Sequence, residues 1–244
     1  MISRSFQHKV VYYLRHLPVL QKLLTWIYRK FFREGLEARR INAFRKNALS
    51  ILKEFHNCLE ENNYFYTLAF GSMLGAVREK GFIKHDPDID VYMWIEDRDE
   101  KFLSILEKHG FTLSHSFSIE NRKWGYEETF EKDDVSIDIF YVYPPINKMP
   151  YCCDFLTQPG CRNLEISMKE FGGVLPRRIE MPLIKKRVKT DFEDTQLYIP
   201  ENAHDLLVYR YGENYMTPIK NWTIQSYDNH IVEWPDKLGI FQNF

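Results

Sequence analysis

Between residues 41 and 59, apolar side chains recur at spacings of three and four: Ile41, Phe44, Ala48, Ile51, Leu52, Phe55, Cys58 and Leu59. That period predicts an amphipathic helix, ended by the polar run EENN at 60–63. Upstream, residues 8–34 show a broad apolar face, including Val10, Leu14, Leu20, Leu24, Ile27 and Phe31, and read as helical with an interruption at Pro18. After residue 63 the pattern changes. YFYTLAF, 64–70, reads as a strand running into Gly71-Ser72. SMLGAVREKG, 72–81, has the length of a short helix with Ser72 as its cap and Gly81 as its end. Residues 88–95 alternate and predict a strand. DRDEKFLSILEKHG, 97–110, predicts a helix with Asp97 and Glu100 as a capping box and Gly110 as its stop. Residues 126–143 predict a hairpin turning at Lys132-Asp133-Asp134. From 144 to 184 the signals are weak. A last helix, ENAHDLLVYRYG, is opened by Pro200 and stopped by Gly212, and the tail has no clear period. The sum is an α/β (α+β) chain with a mixed sheet flanked by helices. It divides into a basic amphipathic helical segment, 1–40, and a domain over 41–244.

Charge sharpens that division. Residues 1–40 hold nine Lys/Arg against two acids, a net +7, which leaves −8 for the remainder of a chain whose total is −1. A mildly acidic body argues against a nucleic-acid partner. No window of 18 apolar residues occurs, and the N-terminus lacks the order of a secretory signal. Of four cysteines two are adjacent, Cys152 and Cys153, so a disulfide framework is not expected, and reduced thiols in the cytoplasm are. Cys152, Cys153 and Cys161 lack the CxxC or histidine spacing of a zinc site.

The candidate chemistry lies in AFGSMLGAVREKGFIKHDPDIDVYMW, 69–94. On a strand, Asp88 and Asp90 share one face, and Ile89 and Val91 the other. In VSIDIF, Val135, Ile137 and Ile139 take the apolar face and Asp138 the opposite one. If the two strands are neighbours, three carboxylates converge, and a hard divalent cation offsets their repulsion. Gly71-Ser72, where a strand ends and a helix starts, offers backbone N–H groups to a phosphate. An anion cradle facing a metal site is the equipment of phosphoryl transfer. An EF-hand loop does not fit, because its sixth and twelfth positions hold Val91 and Asp97, or Met93 and Asp99.

FGSMLGAVREKGFIKHDPDID resembles the signature of the LicD/fukutin family within the nucleotidyltransferase superfamily. KDDVSIDIFYVY and YGENYMTPIKNW are similar to its fukutin side, and the resemblance spans scattered blocks over 52–222. It implies a nucleotidyltransferase-like mixed sheet flanked by helices and a reaction dependent on Mg²⁺ or Mn²⁺. A phospho-alcohol such as phosphocholine, phosphoethanolamine or phosphoribitol would pass from a CDP-linked donor to a sugar hydroxyl of a glycan. The acceptor would be a glycan or lipid-linked glycan of a surface polysaccharide or glycoconjugate. Carried across by motif, Asp88 and Asp90 hold metal, and Asp138 is the third carboxylate, as ligand or base. Asp86 is a secondary ligand candidate, because His85-Asp86-Pro87 departs from the commoner all-acidic run.

On this reading Gly71 and Ser72 cradle donor phosphate. Arg78, with Lys80 and Lys84 beside it in sequence, is a substrate-binding candidate, and a solvated helix face is its equal alternative. KKRVK, 185–189, reads as a solvated strand edge, and Tyr209, Tyr211 and Tyr215 as core. Two rivals stand beside the transferase: a nucleotidyltransferase adding NMP to a small molecule or protein, and an inactive membrane-bound scaffold. The +7 front end fits an interfacial helix on the inner face of an anionic membrane, and equally a helix pair packed on the domain or on a second copy in a homo-oligomer.

Overall fold

The computed structural model describes residues 34–84, 86–146, 148–218 and 230–244. The helix expected over 8–34 falls almost wholly outside these residues, as does the end of the YGENYMTPIKNW block. Helix α1, Glu34–Glu61, contains the three-four pattern and runs without a break through residues 40 and 41. Phe44, Ala48, Ile51, Leu52, Phe55, Cys58 and Leu59 form its buried side. A turn at Asn63 (φ 59°) leads into β1, Tyr66–Leu68, and then α2, Phe70–Arg78. Strand β2, Ile89–Trp94, follows, then α3, Phe102–Lys108, and three strands: β3 Thr112–Ile119, β4 Gly125–Lys132 and β5 Val135–Val142. The β4–β5 turn has two residues, Asp133 and Asp134, both at positive φ (49° and 64°), the backbone that matches the twist of a tight hairpin.

These strands and a C-terminal one make a six-stranded sheet in the order β1-β2-β5-β4-β3-β11, where β11 is Gly239–Asn243. Its β2–β5 pair is parallel, with Asp90 opposite Asp138, and its other pairs are antiparallel. One face is apolar: Ile89, Val91, Met93, Ile137, Ile139 and Phe130 are buried there. Helix α1 covers that face, with Phe55 edge-on to Tyr66 of β1 and to Phe111, both 5.8 Å away. Burial of so many large side chains at roughly 25 cal/mol per Å² is the main force holding helix to sheet. On this same face Arg98 forks onto the buried Glu128 (2.8 and 2.9 Å), which also accepts from Tyr126 and Tyr141. A buried carboxylate with this many donors is satisfied, so Glu128 is structural.

The opposite face carries Asp90, Tyr92, Asp138, Phe140 and Thr129. A three-stranded sheet, β10-β7-β6, covers one end of it, with Phe155 of β6 stacked on Phe117 of β3 at 4.9 Å. In that sheet β6 is Tyr151–Leu156, β7 Leu175–Glu180 and β10 Ile231–Glu233. Between β6 and β7 lies α4, Leu164–Phe171. A separate hairpin, β8 Arg187–Phe192 with β9 Thr195–Pro200, precedes α5, Ala203–Tyr211.

The weak stretch 144–184 thus holds two strands and a helix. The helix has ordinary punctuation: Asn163 Oδ1 accepts from Ile166 N–H at 2.9 Å, and Gly172 closes it at φ 73°. Three expected boundaries move. Helix α2 starts at Phe70 rather than Ser72, with Ala69 as its cap residue. The Asp97–Glu100 capping box does not form: Asp97 lies in a 3-10 turn, and Asp99 Oδ1 instead accepts from the N–H groups of Lys101 and Phe102, both 3.0 Å. Pro200 ends β9, and α5 begins at Ala203. The KKRVK run does lie at the exposed start of β8, while Tyr211 and Tyr215 are buried and Tyr209 stacks on His230.

Candidate active site

The strand order brings Asp88, Asp90 and Asp138 together. One carboxylate oxygen from each lies within 4.8 Å of the others, and no other such His, Cys, Asp or Glu group occurs among the described residues. Parallel pairing of β2 and β5 does this, by setting the second residue of one strand beside the fourth of the other. Asp88 Oδ1 is buried and has no hydrogen-bond partner. Burial, then the carboxylates of Asp88 and Asp138, hold Asp90 well above the usual carboxylate range. Burial raises Asp138 to about 6, even though Thr129 Oγ1 donates to its Oδ1 at 2.6 Å. An orphaned buried oxygen among crowded, proton-retaining carboxylates fits a divalent cation, because a cation supplies the missing partner and removes the repulsion together.

Asp86 is not one of the three, but its carboxylate lies against the Cα of Gly71: a Cβ there would collide with Asp86 Oδ2. Burial and then Asp88 push Asp86 up to about 7. Gly71 is therefore a close-approach glycine as well as part of a strand-to-helix turn.

That turn is tied to the carboxylates through backbone. Ala69 N–H donates to the Asp90 carbonyl at 2.9 Å, and Asp90 N–H donates to Ser72 Oγ at 3.0 Å. Ser72 is not the cap but a clamp on β2. The first backbone bond of the helix runs from Met73 N–H to Ala69, so the N–H groups of Phe70, Gly71 and Ser72 precede it. Phe70 takes φ 36°, a costly backbone for an aromatic residue, with its ring edge-on to Tyr92 (5.1 Å) and Phe140 (4.8 Å). Packing of this ring sets the direction in which α2 leaves the sheet. Ser72→Ala is expected to destabilise the fold by about 1–3 kcal/mol, because Asp90 N–H loses its acceptor. Chemical denaturation measures it, and an unchanged midpoint would show that the clamp is idle.

Two residues that no sequence motif marked stand behind Asp138. Thr129 faces it across β4–β5, and His115 Nε2 lies 3.1 Å from Thr129 Oγ1. With the threonine proton directed at Asp138, Oγ1 accepts from His115, which sets that ring's Nε2–H tautomer. Arg40 of α1 donates to Ser136 Oγ at 3.3 Å and lends positive potential to Asp138. Arg78, by contrast, is engaged elsewhere: its Nε donates to Glu79 at 2.7 Å and its NH1 to the Tyr215 carbonyl at 3.3 Å. Lys84 borders a cleft of about 380 Å³ between α1 and the α2–β2 loop, lined also by Phe44, Arg45, Phe82 and Asp86. Cys152 and Cys153 are buried free thiols in β6.

Without a cation, Asp86, Asp90 and Asp138 keep protons in the fold that they release when unfolded, so their contribution to stability falls as pH rises from about 4 to about 7. A cation reverses that sign, since it binds the deprotonated carboxylates. The rise in melting temperature on adding MgCl₂ is expected to be negligible near about pH 5 and several degrees near about pH 8. A magnesium effect that ignores pH would separate cation binding from this cluster.

A mixed sheet with carboxylates on adjacent parallel strands, faced by a strand-to-helix turn, defines a nucleotidyltransferase-like α/β domain. Residues 63–162 match the family model described as LicD/FKTN/FKRP, nucleotidyltransferase domain. The ribitol-5-phosphate transferase FKTN of Mus musculus is 26% identical over 225 residues, 87% of this chain and 45% of that protein. Its Homo sapiens counterpart is 25% identical over 198 residues, 80% of this chain and 39% of that protein. The lipopolysaccharide cholinephosphotransferase LicD of Haemophilus influenzae is 44% identical over 57 residues, 23% of this chain and 21% of that protein. The chain spans less than half the length of these relatives. The resemblance read from the motifs is borne out.

Proposed function

We propose that the chain transfers a phospho-alcohol, of the phosphoribitol or phosphocholine kind, from a CDP-linked donor to a sugar hydroxyl of a glycan. The observation that carries this is the convergence of Asp88, Asp90 and Asp138 inside a domain whose relatives are named for ribitol-phosphate and phosphocholine transfer. In the reaction the acceptor oxygen bonds to the alcohol-bearing phosphorus, the bond between the two phosphates breaks, CMP leaves, and the hydroxyl proton passes to a base. Asp88, Asp90 and Asp138 would hold Mg²⁺ or Mn²⁺, which supplies neutralising charge to the donor's phosphates. The N–H groups at the start of α2 bind a phosphate oxygen. Ser72 holds β2, and Asp90 with it, in register with that turn. Asp138 is the third ligand or the base that receives the proton, with Thr129 fixing its orientation.

Incubation with CDP-ribitol, CDP-choline, CDP-ethanolamine and CDP-glycerol, reading CMP release with and without a glycan acceptor, tests the proposal. Acceptor-dependent CMP release from one of them supports it. Pyrophosphate release from ATP or GTP, with no CMP from any CDP-alcohol, would replace it with NMP transfer. Residues 1–40, at net +7, are assigned in the same proposal to a peripheral contact with an anionic membrane on its cytoplasmic side. Salt-sensitive co-sedimentation with anionic but not neutral vesicles is the expected result.

A further inference from the structure

Arg210 lies in the last turn of α5 and is half-buried. The other half-buried arginines, Arg78, Arg98, Arg177, Arg178 and Arg187, each rest on a carboxylate. Arg210 has no such anion among the described residues, and its Nε is buried without a hydrogen-bond partner. Carboxylates lie near the same neighbours, Glu127 and Asp154 by Cys152 and Glu180 by His230, but none of them forms an ion pair with Arg210 among the described residues. The guanidinium sits 5.3 Å from the centre of the Phe70 ring, and its charge is felt by Tyr92, Cys152 and His230. A cation withdrawn from water and left unpaired is costly, and a guanidinium fork matches the geometry of phosphate oxygens.

Its position supplies a reason. Phe70 is the residue that opens α2, with its own N–H and those of Gly71 and Ser72 ahead of the first intrahelical bond. α2 and α5 pack together, so the unpaired guanidinium and the unpaired N–H groups belong to one corner of the site. Asp90 and Asp138 stand on the adjoining strands β2 and β5, and Asp88 immediately precedes β2. We propose that Arg210 is the side chain that binds the donor's phosphate, together with the N–H groups at the start of α2, while Arg78 remains bound to Glu79 and the Tyr215 carbonyl. The proposal rests on the transferase reading only for which molecule brings the phosphate; any ligand with a pyrophosphate group suffices to test it.

The test is calorimetric titration of the full chain with inorganic pyrophosphate and with CDP, in MgCl₂. The wild type is expected to bind, and Arg210→Gln to weaken binding by about 10–100-fold, the loss that follows from removing a charged donor. Arg210→Lys keeps the charge without the fork and should fall between them, and it serves if the glutamine variant does not fold. Ligand-free Arg210→Gln should melt at or above the wild-type temperature, because a half-buried charge with no ion-pair partner has gone. Equal pyrophosphate affinity in wild type and both variants overturns the proposal. So does a wild type that binds neither probe, or a loss confined to Arg78→Gln. Absence of turnover with every CDP-alcohol would remove the transferase reading and leave the pyrophosphate result standing.

Discussion

Asp90→Asn is expected to lower turnover by about a thousandfold or more while raising the melting temperature of the metal-free chain. The first half follows from charge. Asp90 lies with Asp88 and Asp138, and on the proposed reading loss of its anion would take away a metal ligand worth several kcal/mol of transition-state stabilisation, at about 1.4 kcal/mol per decade. The second half follows from the same crowding. Burial and two neighbouring carboxylates hold Asp90 far above its ordinary range, so its charged form opposes folding. Asparagine keeps the shape without the charge. The two hydrogen bonds that fix this strand to the α2 turn use the Asp90 backbone, not its side chain, and both survive. A gain of about 1 kcal/mol would appear as roughly 2–4 °C in a chain of this size. Thermal unfolding with and without MgCl₂, beside turnover, checks both halves. Near-normal turnover in magnesium would take Asp90 out of the site, and a lower melting temperature would make its role structural.

The alternation of Asp88-Ile89-Asp90 and of Val135 to Ile139 was enough to say which side each carboxylate leaves its strand, because side-chain period is a local property. Whether the strands meet is not local. β2 and β5 are separated in sequence by α3, β3 and β4, and nothing in 89–142 announces that the chain crosses back to pair β5 with β2 in parallel. Motif resemblance supplied the convergence that the period alone left conditional. Thr129 and His115 are invisible for the same reason, since their place beside Asp138 depends on cross-strand register.

Strand β3 was hidden by a defect in its own pattern. The register shifts between Leu113 and His115, so buried residues fall at Leu113, Ser116, Phe117 and Ile119 and the two-residue period breaks. The tail strand β11 is short, and its exposed Ile240, with the exposed Phe244 just after it, spoils any alternation there. At α3 three acids compete for the capping role within four residues. Asp99 prevails because Tyr64 OH also holds it at 2.7 Å, a tertiary contact beyond the reach of a capping rule. Arg78 follows the Gly-Ser turn closely enough to draw attention in sequence, whereas Arg210, far along the chain, is brought to that turn only by the packing of α5 on α2.

Asp138→Asn is expected to lower turnover by at least about a hundredfold, the low end for a lost acid–base group, and the way it fails identifies its role. The variant should fold, since an amide oxygen still accepts from Thr129 Oγ1 and the apolar neighbours Ile137 and Ile139 are untouched. If Asp138 is the third ligand, magnesium affinity falls with turnover; if it is the base, affinity holds and the acid limb of the pH–rate profile disappears. Thr129 supplies a second, independent reading. Burial raises Asp138 to about 6, and the threonine hydrogen bond works against that rise by favouring the charged carboxylate. Removing it in Thr129→Val therefore raises the Asp138 pKa further. A base must be deprotonated to act, so in Thr129→Val the acid limb should lie at higher pH than in wild type, with the plateau rate above it little changed. A Thr129→Val profile that keeps its limb in place, or an Asp138→Asn variant within a factor of about 10 of wild type, would reduce Asp138 to a hydrogen-bonding residue of the sheet and leave catalysis to the β2 carboxylates.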